Sequence, residues 1–325
     1  MYKILITGGA GFIGSRISRR LIELGHTPIV LDIFAQYISP LESSYTETRA
    51  DRFRDIIDDI IIERGNVESY ETVDKVIRKH RPTHVIHLAA LPLARLQNLN
   101  AEEAMGGTIV STSYILEVLD KMIKSGEIKN FKKFVYTSSS MVYGEFEKDT
   151  VNENDQTKPT NSYGVMKLAG ETVTSGLCRT FNIPFNIVRP SAVYGPTDIN
   201  RRVSQIFIDN ALEGKELIVK GDETEKLDFS YISDVAEGFI KCTLSEVSGE
   251  IFNITGGEAR SLLEFAKIIK KEIPETVIIQ QPRDKNVPKR GTLDISKAKR
   301  LLNYKPEYKI ERGIKEYIIN KINKK

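Results

Sequence analysis

Two cysteines in 325 residues, Cys178 and Cys242, are too few to staple a fold. Each sits alone within a helical pattern, a usage that predicts a reducing cytoplasm and two small core side chains rather than a disulfide. No apolar stretch approaches the roughly 20 residues that span a bilayer, which argues against a membrane partner. Charge of one sign is equally scarce. Against 47 Lys and Arg stand 44 Asp and Glu, a net charge of +3 spread along the chain, so nothing points to nucleic acid. The basic carboxyl end, NKINKK, reads as a solvated helix tail. No internal repeat or low-complexity segment interrupts the pattern, and the opening residues lack the basic leader and small-residue cleavage site of a secretory signal. Histidine numbers only four. Three of them cluster, but Pro82 breaks any helical register between His80 and His84, and His87 belongs to a strand pattern, so no metal site is expected.

What the chain does have is an ordinary globular composition, 40% apolar and 28% charged, and a regular order of elements. KILITG is a short continuous apolar run, RISRRLIELG a helical pattern closed by Gly25, and TPIVLD a second apolar run. Further runs follow at DIIIERGNV, THVIHLAA, KKFVYTSSS and FNIVRP, separated by helical patterns such as ESYETVDKVIRKH, TSYILEVLDKMIKSG and SYGVMKLAGETVTSGLCRTF. Strands apolar on both faces and alternating with helices predict an α/β fold with a doubly wound parallel sheet of Rossmann type. After about Gly195 the alternation loosens into a smaller mixed α/β region. The expected division is a nucleotide-binding body, residues 1–195 plus about 228–254, and a carboxyl-terminal cap, 196–227 plus about 255–325, with a ligand in the cleft between them.

ILITGGAGFIGS, residues 4–15, carries Gly8, Gly11 and Gly14 between a strand and a helix. Free N–H groups at the helix start, with no side chains in the way, let a pyrophosphate lie on that positive terminus. The second strand ends in Asp32, where an acid accepts from both hydroxyls of an adenosine ribose. A carboxylate there repels a 2′-phosphate, and Ile33, Phe34, Ala35 and Gln36 bring no arginine to welcome one. NAD is therefore expected over NADP.

SYGVMKLAGE puts Tyr163 and Lys167 on one face of a helix. An ammonium near a phenol favours the phenolate, which makes the tyrosine usable as an acid or base. Tyr317 and Lys321 repeat the spacing in the basic tail, where no chemistry is assigned. Position separates the pairs: the helix of Tyr163 follows a strand ending in TSSS, residues 137–140, at the same sheet edge as the glycine turn. A serine there can donate to the oxygen being oxidised.

With these residues assembled, the chain resembles the extended short-chain dehydrogenase/reductase family, specifically its nucleotide-sugar epimerases and dehydratases. The resemblance rests on TGGAGFIG, Asp32, HLAA at 87–90, SSSMVYG at 138–144, SYGVMK at 162–167, VRPSAVYGP at 188–196, DFSYISDVAEG at 228–238 and DISKAKRLLNYKP at 294–306. It implies tightly held NAD, a nucleoside-diphosphate sugar in the cleft, and a homodimer. It also implies that Tyr163 removes a sugar hydroxyl proton, usually at C4, with Ser139 as the catalytic serine and Lys167 beside the nicotinamide ribose. Cofactor contacts are expected from Gly8, Gly11, Phe12, Ile13 and Gly14 of the turn, Asp32 and Ile33, Asn66 and Val67, Leu88, Ala89 and Ala90, Thr137, Pro190, and Tyr163 with Lys167.

Departures from the family pattern narrow the chemistry. Dehydratases of this resemblance carry an Asp-Glu pair where this chain has Ser140 and Met141, and methionine exchanges no proton; dehydration and decarboxylation are disfavoured. A C4 epimerase is the first expectation, with a net C4 dehydrogenase or reductase as alternative and a non-catalytic NAD-binding regulator as a third. The family's asparagine after the fourth strand is Thr108, its adenine-binding aspartate is Asn66, its diphosphate-gripping arginine is Leu227, and its VYGP-stretch asparagine is Ala192. Arg201, Arg202 and Arg283 are the candidates to rebuild the phosphate clamp, since a guanidinium bonds two oxygens at once. Ser139 and Ser140 are expected to touch the sugar, and Arg95 is a further candidate contact.

Overall fold

The computed structural model describes residues 1–34, 51–90, 101–224, 226–283 and 288–323. Seven apolar runs form its main sheet: β1 (Lys3–Thr7), β2 (Thr27–Asp32), β3 (Ile61–Arg64), β4 (His84–His87), β5 (Lys133–Thr137), β6 (Phe185–Pro190) and β7 (Glu250–Ile254). All neighbouring pairs are parallel, in the order β3-β2-β1-β4-β5-β6-β7. The doubly wound expectation holds, and the direction of winding reverses between β1 and β4.

The runs are continuous because both faces of the sheet are covered. Ile4 and Ile6 join one apolar cluster with Phe12, Ile17 and Leu21 of helix 12–23. Leu5, between them in β1, faces the other way into a cluster shared with helices 70–80 and 111–124. Period-two alternation thus sends neighbouring strand residues to opposite helical layers. Helix 162–181 packs in the second layer too, through Cys178. Both cysteines are buried free thiols.

The carboxyl-terminal region contains helices 203–212, 262–272 and 310–322 and a parallel two-stranded ladder pairing 217–220 with 278–281. Three shorter ladders escaped the sequence reading: 193–194 pairs with 230–231, 150–151 with 292–293, and 226–228 antiparallel with 259–261. The second draws the segment after β5 and the stretch around residue 290 together. One apolar cluster runs unbroken from Ile4 to Tyr317, so the body and the carboxyl-terminal helices share a core. The last helix is docked rather than merely solvated: Ile314 and Tyr317 are fully buried, and Lys321 pairs with Asp209 at 2.7 Å. That packing uses up the second Tyr-x-x-x-Lys pair as structure. No helix among the described residues is long and apolar enough to cross a membrane.

Candidate active site

Parallel strands bring their carboxyl ends to one edge, and the reversal between β1 and β4 opens a crevice there. A cavity of about 500 Å³ occupies it. At its floor β1 runs into the glycine turn. Gly8 is left-handed, with φ of 68°, and a Cβ on it would come within 2.8 Å of the Ala89 backbone nitrogen. A Cβ on Gly14 would reach to 2.6 Å from Gly9 Cα. These two glycines therefore allow the turn, β4 and the helix to close on one another. Gly11 differs: it is the N-cap of helix 12–23 and has no side chain over the helix terminus, and the first-turn residues Phe12, Ile13 and Gly14 line the cavity with N–H groups that lack helical acceptors. All three glycines line the cavity, and Gly8 and Gly14 have this packing role in addition.

Asp32 ends β2 at the cavity wall. Its Oδ2 accepts from Ala10 N at 3.0 Å and its Oδ1 from Phe34 N at 2.8 Å, so the carboxylate also holds the glycine turn to the end of β2. Asn66 and Val67 line the same stretch. The Asn66 amide oxygen takes the Glu68 N–H at 3.0 Å, leaving it a second lone pair for an adenine amino group. Ile33, Leu88, Ala89, Ala90, Thr137 and Pro190 complete the wall, so every residue expected to hold the dinucleotide lines this one cavity. Ala35, Gln36 and Arg95 lie outside the described residues. Thr108 sits buried in a π-helical turn, Gly106–Val110, and lends its carbonyl to Thr112 Oγ1 at 2.6 Å.

Asn161 caps helix 162–181 by accepting the Gly164 N–H at 2.9 Å, which sets Tyr163 and Lys167 on the cavity side of the first turns. Lys167 Nζ donates to the Thr137 carbonyl at 2.8 Å and stands 5.8 Å from the Tyr163 ring centroid. Burial lowers the Lys167 ammonium to about 8, opposed by Glu171 one turn on. Tyr163 departs from expectation. Its phenol is raised above its ordinary value because desolvation outweighs the pull of Arg202 and of its hydrogen bond with Ser139. The spacing argument counted the nearby charge and left out burial, which favours the neutral phenol. Ser139 accepts from Met141 N at 3.2 Å, opening a short 3-10 turn over Ser140–Tyr143.

The cationic part of the wall is only partly as expected. Arg202 lines the cavity, with Nη1 donating to the Val193 carbonyl at 3.1 Å and Asp198 at 4.0 Å. Arg201 and Arg283 do not line it. Leu227 and Ala192 do, leaving apolar surface where the family pattern has an arginine and an asparagine. Two arginines that sequence reasoning missed stand there as well. Arg52 spans from the Ala10 carbonyl, 2.9 Å, to that of Thr197, 2.6 Å, and so buttresses the glycine turn. Arg290 donates from Nη2 to Ser140 Oγ at 2.7 Å. It lies seven residues beyond Arg283 in the same PRDKNVPKRG stretch. The 150–151 and 292–293 ladder, with the Phe146 N–H donating to the Lys289 carbonyl at 2.9 Å, places Arg290 rather than Arg283 at the cavity.

Comparison with known proteins agrees with this geometry. The chain belongs to the NAD dependent epimerase/dehydratase family, which matches residues 4–255. A putative UDP-glucose 4-epimerase from Methanocaldococcus jannaschii is 33% identical over 97% of both chains. A dTDP-glucose 4,6-dehydratase from Escherichia coli is 26% identical over 99% of this chain and 94% of its own. Among solved structures, UDP-glucuronic acid 4-epimerase from Bacillus cereus, in complex with UDP-glucuronic acid and NAD, superposes with a TM-score of 0.87 at 27% identity, covering 99% of this chain and all of that one. The extended short-chain dehydrogenase/reductase resemblance, the Rossmann-like sheet and NAD dependence are thereby established.

Proposed function

We propose that this protein is a nucleoside-diphosphate-sugar 4-epimerase that retains NAD through its cycle, with Ser139, Tyr163 and Lys167 as the catalytic groups. The single observation that carries this reading is the composition of one wall: Tyr163 and Ser139 line the cavity together with Ser140 and Met141. A phenol able to exchange a proton with one hydroxyl is present, and the neighbouring positions hold no carboxylic acid to expel water from the adjoining carbons. Among relatives that include both epimerases and dehydratases, that absence favours epimerisation.

The cavity fits NAD on its own features: a helix terminus without side chains at Gly11, a carboxylate at the end of β2 for ribose hydroxyls, and an apolar strip from Leu88 to Ala90. Bound NAD supplies two-electron oxidation and its reversal at the sugar carbon. Tyr163 takes the hydroxyl proton as that carbon becomes a ketone and returns it afterwards; Ser139 donates to the same oxygen. To take that proton Tyr163 must stand as the phenolate, and Lys167, cationic at neutral pH, favours that form against the burial that raises the phenol. Reduction of the ketone from its opposite face inverts the centre. The uridine nucleotides named for relatives suggest the uridine base, and two buried free thiols suit the cytoplasm. A homodimer remains part of this reading on family resemblance.

The test is incubation of the purified protein with UDP-sugars, separation of products by stereochemistry, and a record of cofactor absorbance. An epimer formed with no net NADH supports the proposal. Net NADH, or a requirement for added oxidant, identifies the alternative C4 oxidoreductase. Tyr163→Phe should abolish turnover while NAD still binds; undiminished turnover removes the phenol from the mechanism.

A further inference from the structure

Among the described residues Arg290 is a cation without a counter-ion. Its guanidinium donates to Ser140 Oγ, rests against Met141 Sδ and lies 5.5 Å from the Phe146 ring centroid. Its Nε is enclosed and has no hydrogen-bond partner, and no carboxylate pairs with it among the described residues. Two other arginines nearby are compensated: Arg189 forks onto Glu171 and Arg202 has Asp198. Burial depresses the Arg290 guanidinium to about 10, which still leaves it charged at neutral pH. A buried charge that lacks an opposite partner is costly, and the cost is removed when an anion completes the pair.

We propose that Arg290 receives an anionic substituent of the sugar ring, so that the substrate is a nucleoside-diphosphate hexuronate with its C6 carboxylate on this guanidinium. The inference rests on the 4-epimerase reading and adds the substrate class. Two anions compete for the arginine, the diphosphate and a sugar carboxylate, and position separates them. Arg290 touches residues 140 and 141, which directly follow Ser139, and Ser139 lines the cavity with Tyr163. In a pyranose reacting at C4, the diphosphate hangs from C1 on the far side of the ring, whereas C5 and its C6 group adjoin the reacting carbon. C3, the other neighbour of the reacting carbon, bears only a hydroxyl, so an anionic group beside Ser139 and Ser140 is the C6 substituent. A planar fork and a serine hydroxyl match a carboxylate's two oxygens, and a neutral hydroxymethyl group would leave the guanidinium uncompensated.

The experiment compares wild type, Arg290→Met and Arg290→Lys on UDP-glucuronate and UDP-glucose by product chromatography, with calorimetric binding of both sugars and of UDP alone. Wild type should favour UDP-glucuronate at least 100-fold in kcat/KM. The ratio should fall at least 100-fold in R290M and partly recover in R290K, while UDP binds all three within about threefold. Preference of wild type for UDP-glucose, or a loss of UDP affinity in R290M as large as the loss of UDP-glucuronate affinity, overturns the proposal; the latter assigns the arginine to the diphosphate. Should neither sugar be turned over while wild type still binds UDP-glucuronate more tightly than R290M does, the epimerase reading fails and the anion site stands. Failure of wild type to bind UDP-glucuronate sinks the anion site.

Discussion

Glu171 and Arg189 meet fork to fork in the core: Nε reaches Oε1 at 2.8 Å, Nη2 reaches Oε2 at 2.6 Å, and their side chains are 5% and 3% exposed. The pair is more than a packed charge. Glu171 lies two turns beyond Tyr163 on helix 162–181 and also accepts from Ser138, the residue before Ser139. Arg189, in β6, donates from Nη1 to Tyr143 Oη at 2.9 Å, and Tyr143 donates to Asn253 of β7 at 2.8 Å. The helix that carries the phenol, the turn that carries the serine and two strands are thus fixed to one another through a single ion pair.

Removing one partner strands the other charge in the core. Arg189→Met should lower stability by roughly 3–5 kcal/mol, because a buried carboxylate loses its paired guanidinium. The double variant Glu171→Leu with Arg189→Met should recover a good part of that loss, since neither charge is then buried. Urea denaturation of the three proteins measures it; equal stability of the single and double variants would contradict the pairing. Turnover should fall in both variants through displacement of Ser139, with NAD affinity less affected.

The glycines divide by what surrounds them. Gly14→Ala places a methyl group 2.6 Å from Gly9 Cα, backbone against backbone, so the helix must move off the turn. NAD affinity should drop at least tenfold, read by fluorescence titration. Gly176 has nothing within 4 Å and lies exposed in the interior of helix 162–181. There Gly176→Ala should stabilise by roughly 0.5–1 kcal/mol, the ordinary gain in helix propensity, visible as a raised Tm. A destabilised G176A would mean that the residue is not on an open helix face.

How much of this could be read from the chain alone follows from the range of the interactions. The sheet was legible because burial on both faces leaves continuous apolar runs such as FVYT and NIVRP, and the glycine turn because close backbone approach excludes side chains. Tyr163 and Lys167 were legible because helical spacing is local. The raised phenol of Tyr163 was not: it depends on burial by elements far apart in sequence. Arg290 was missed for the same reason. Its seat beside Ser140, 150 residues away, is set by a two-residue ladder whose strands are too short to leave a pattern.

Asp32 has two tasks, and its replacement should expose both. Asp32→Ala deletes the acceptor expected for the ribose hydroxyls and also orphans the Ala10 and Phe34 N–H groups. NAD affinity should fall at least tenfold, and discrimination against NADP should shrink because the repelling carboxylate is gone. The protein should also lose about 1–3 kcal/mol of stability from unsatisfied donors. Asp32→Asn, which keeps one acceptor oxygen, should retain more of the stability than of the NAD preference. Isothermal titration with both dinucleotides and a denaturant melt separate the two effects; unchanged discrimination in D32A would place the ribose elsewhere.

Acid should act on β4. His87 is buried between Thr7 Oγ1, 2.6 Å from Nδ1, and Ser111, and burial holds its imidazole down at about 3. Burial, with the charge of Lys133 adding to it, lowers His84 to about 4. In the unfolded chain both return to about 6.5. Between these values the unfolded state binds more protons than the folded one, so stability is at its full value above pH 6.5 and falls as the pH drops through the window toward 3. At pH 4 the two rings together should withdraw on the order of 6 kcal/mol, since each pKa unit is worth about 1.4 kcal/mol. Urea melts at pH 7, 5.5 and 4.5 should show the decline, and His87→Asn, which can still bond Thr7, should show a shallower one. Ring resonances of His84 and His87 should not move between pH 7 and 5 in the folded protein. A ring that titrates near 6.5 while the protein remains folded would mean that water reaches β4 and that the imidazole is not part of the sealed floor beneath the cavity.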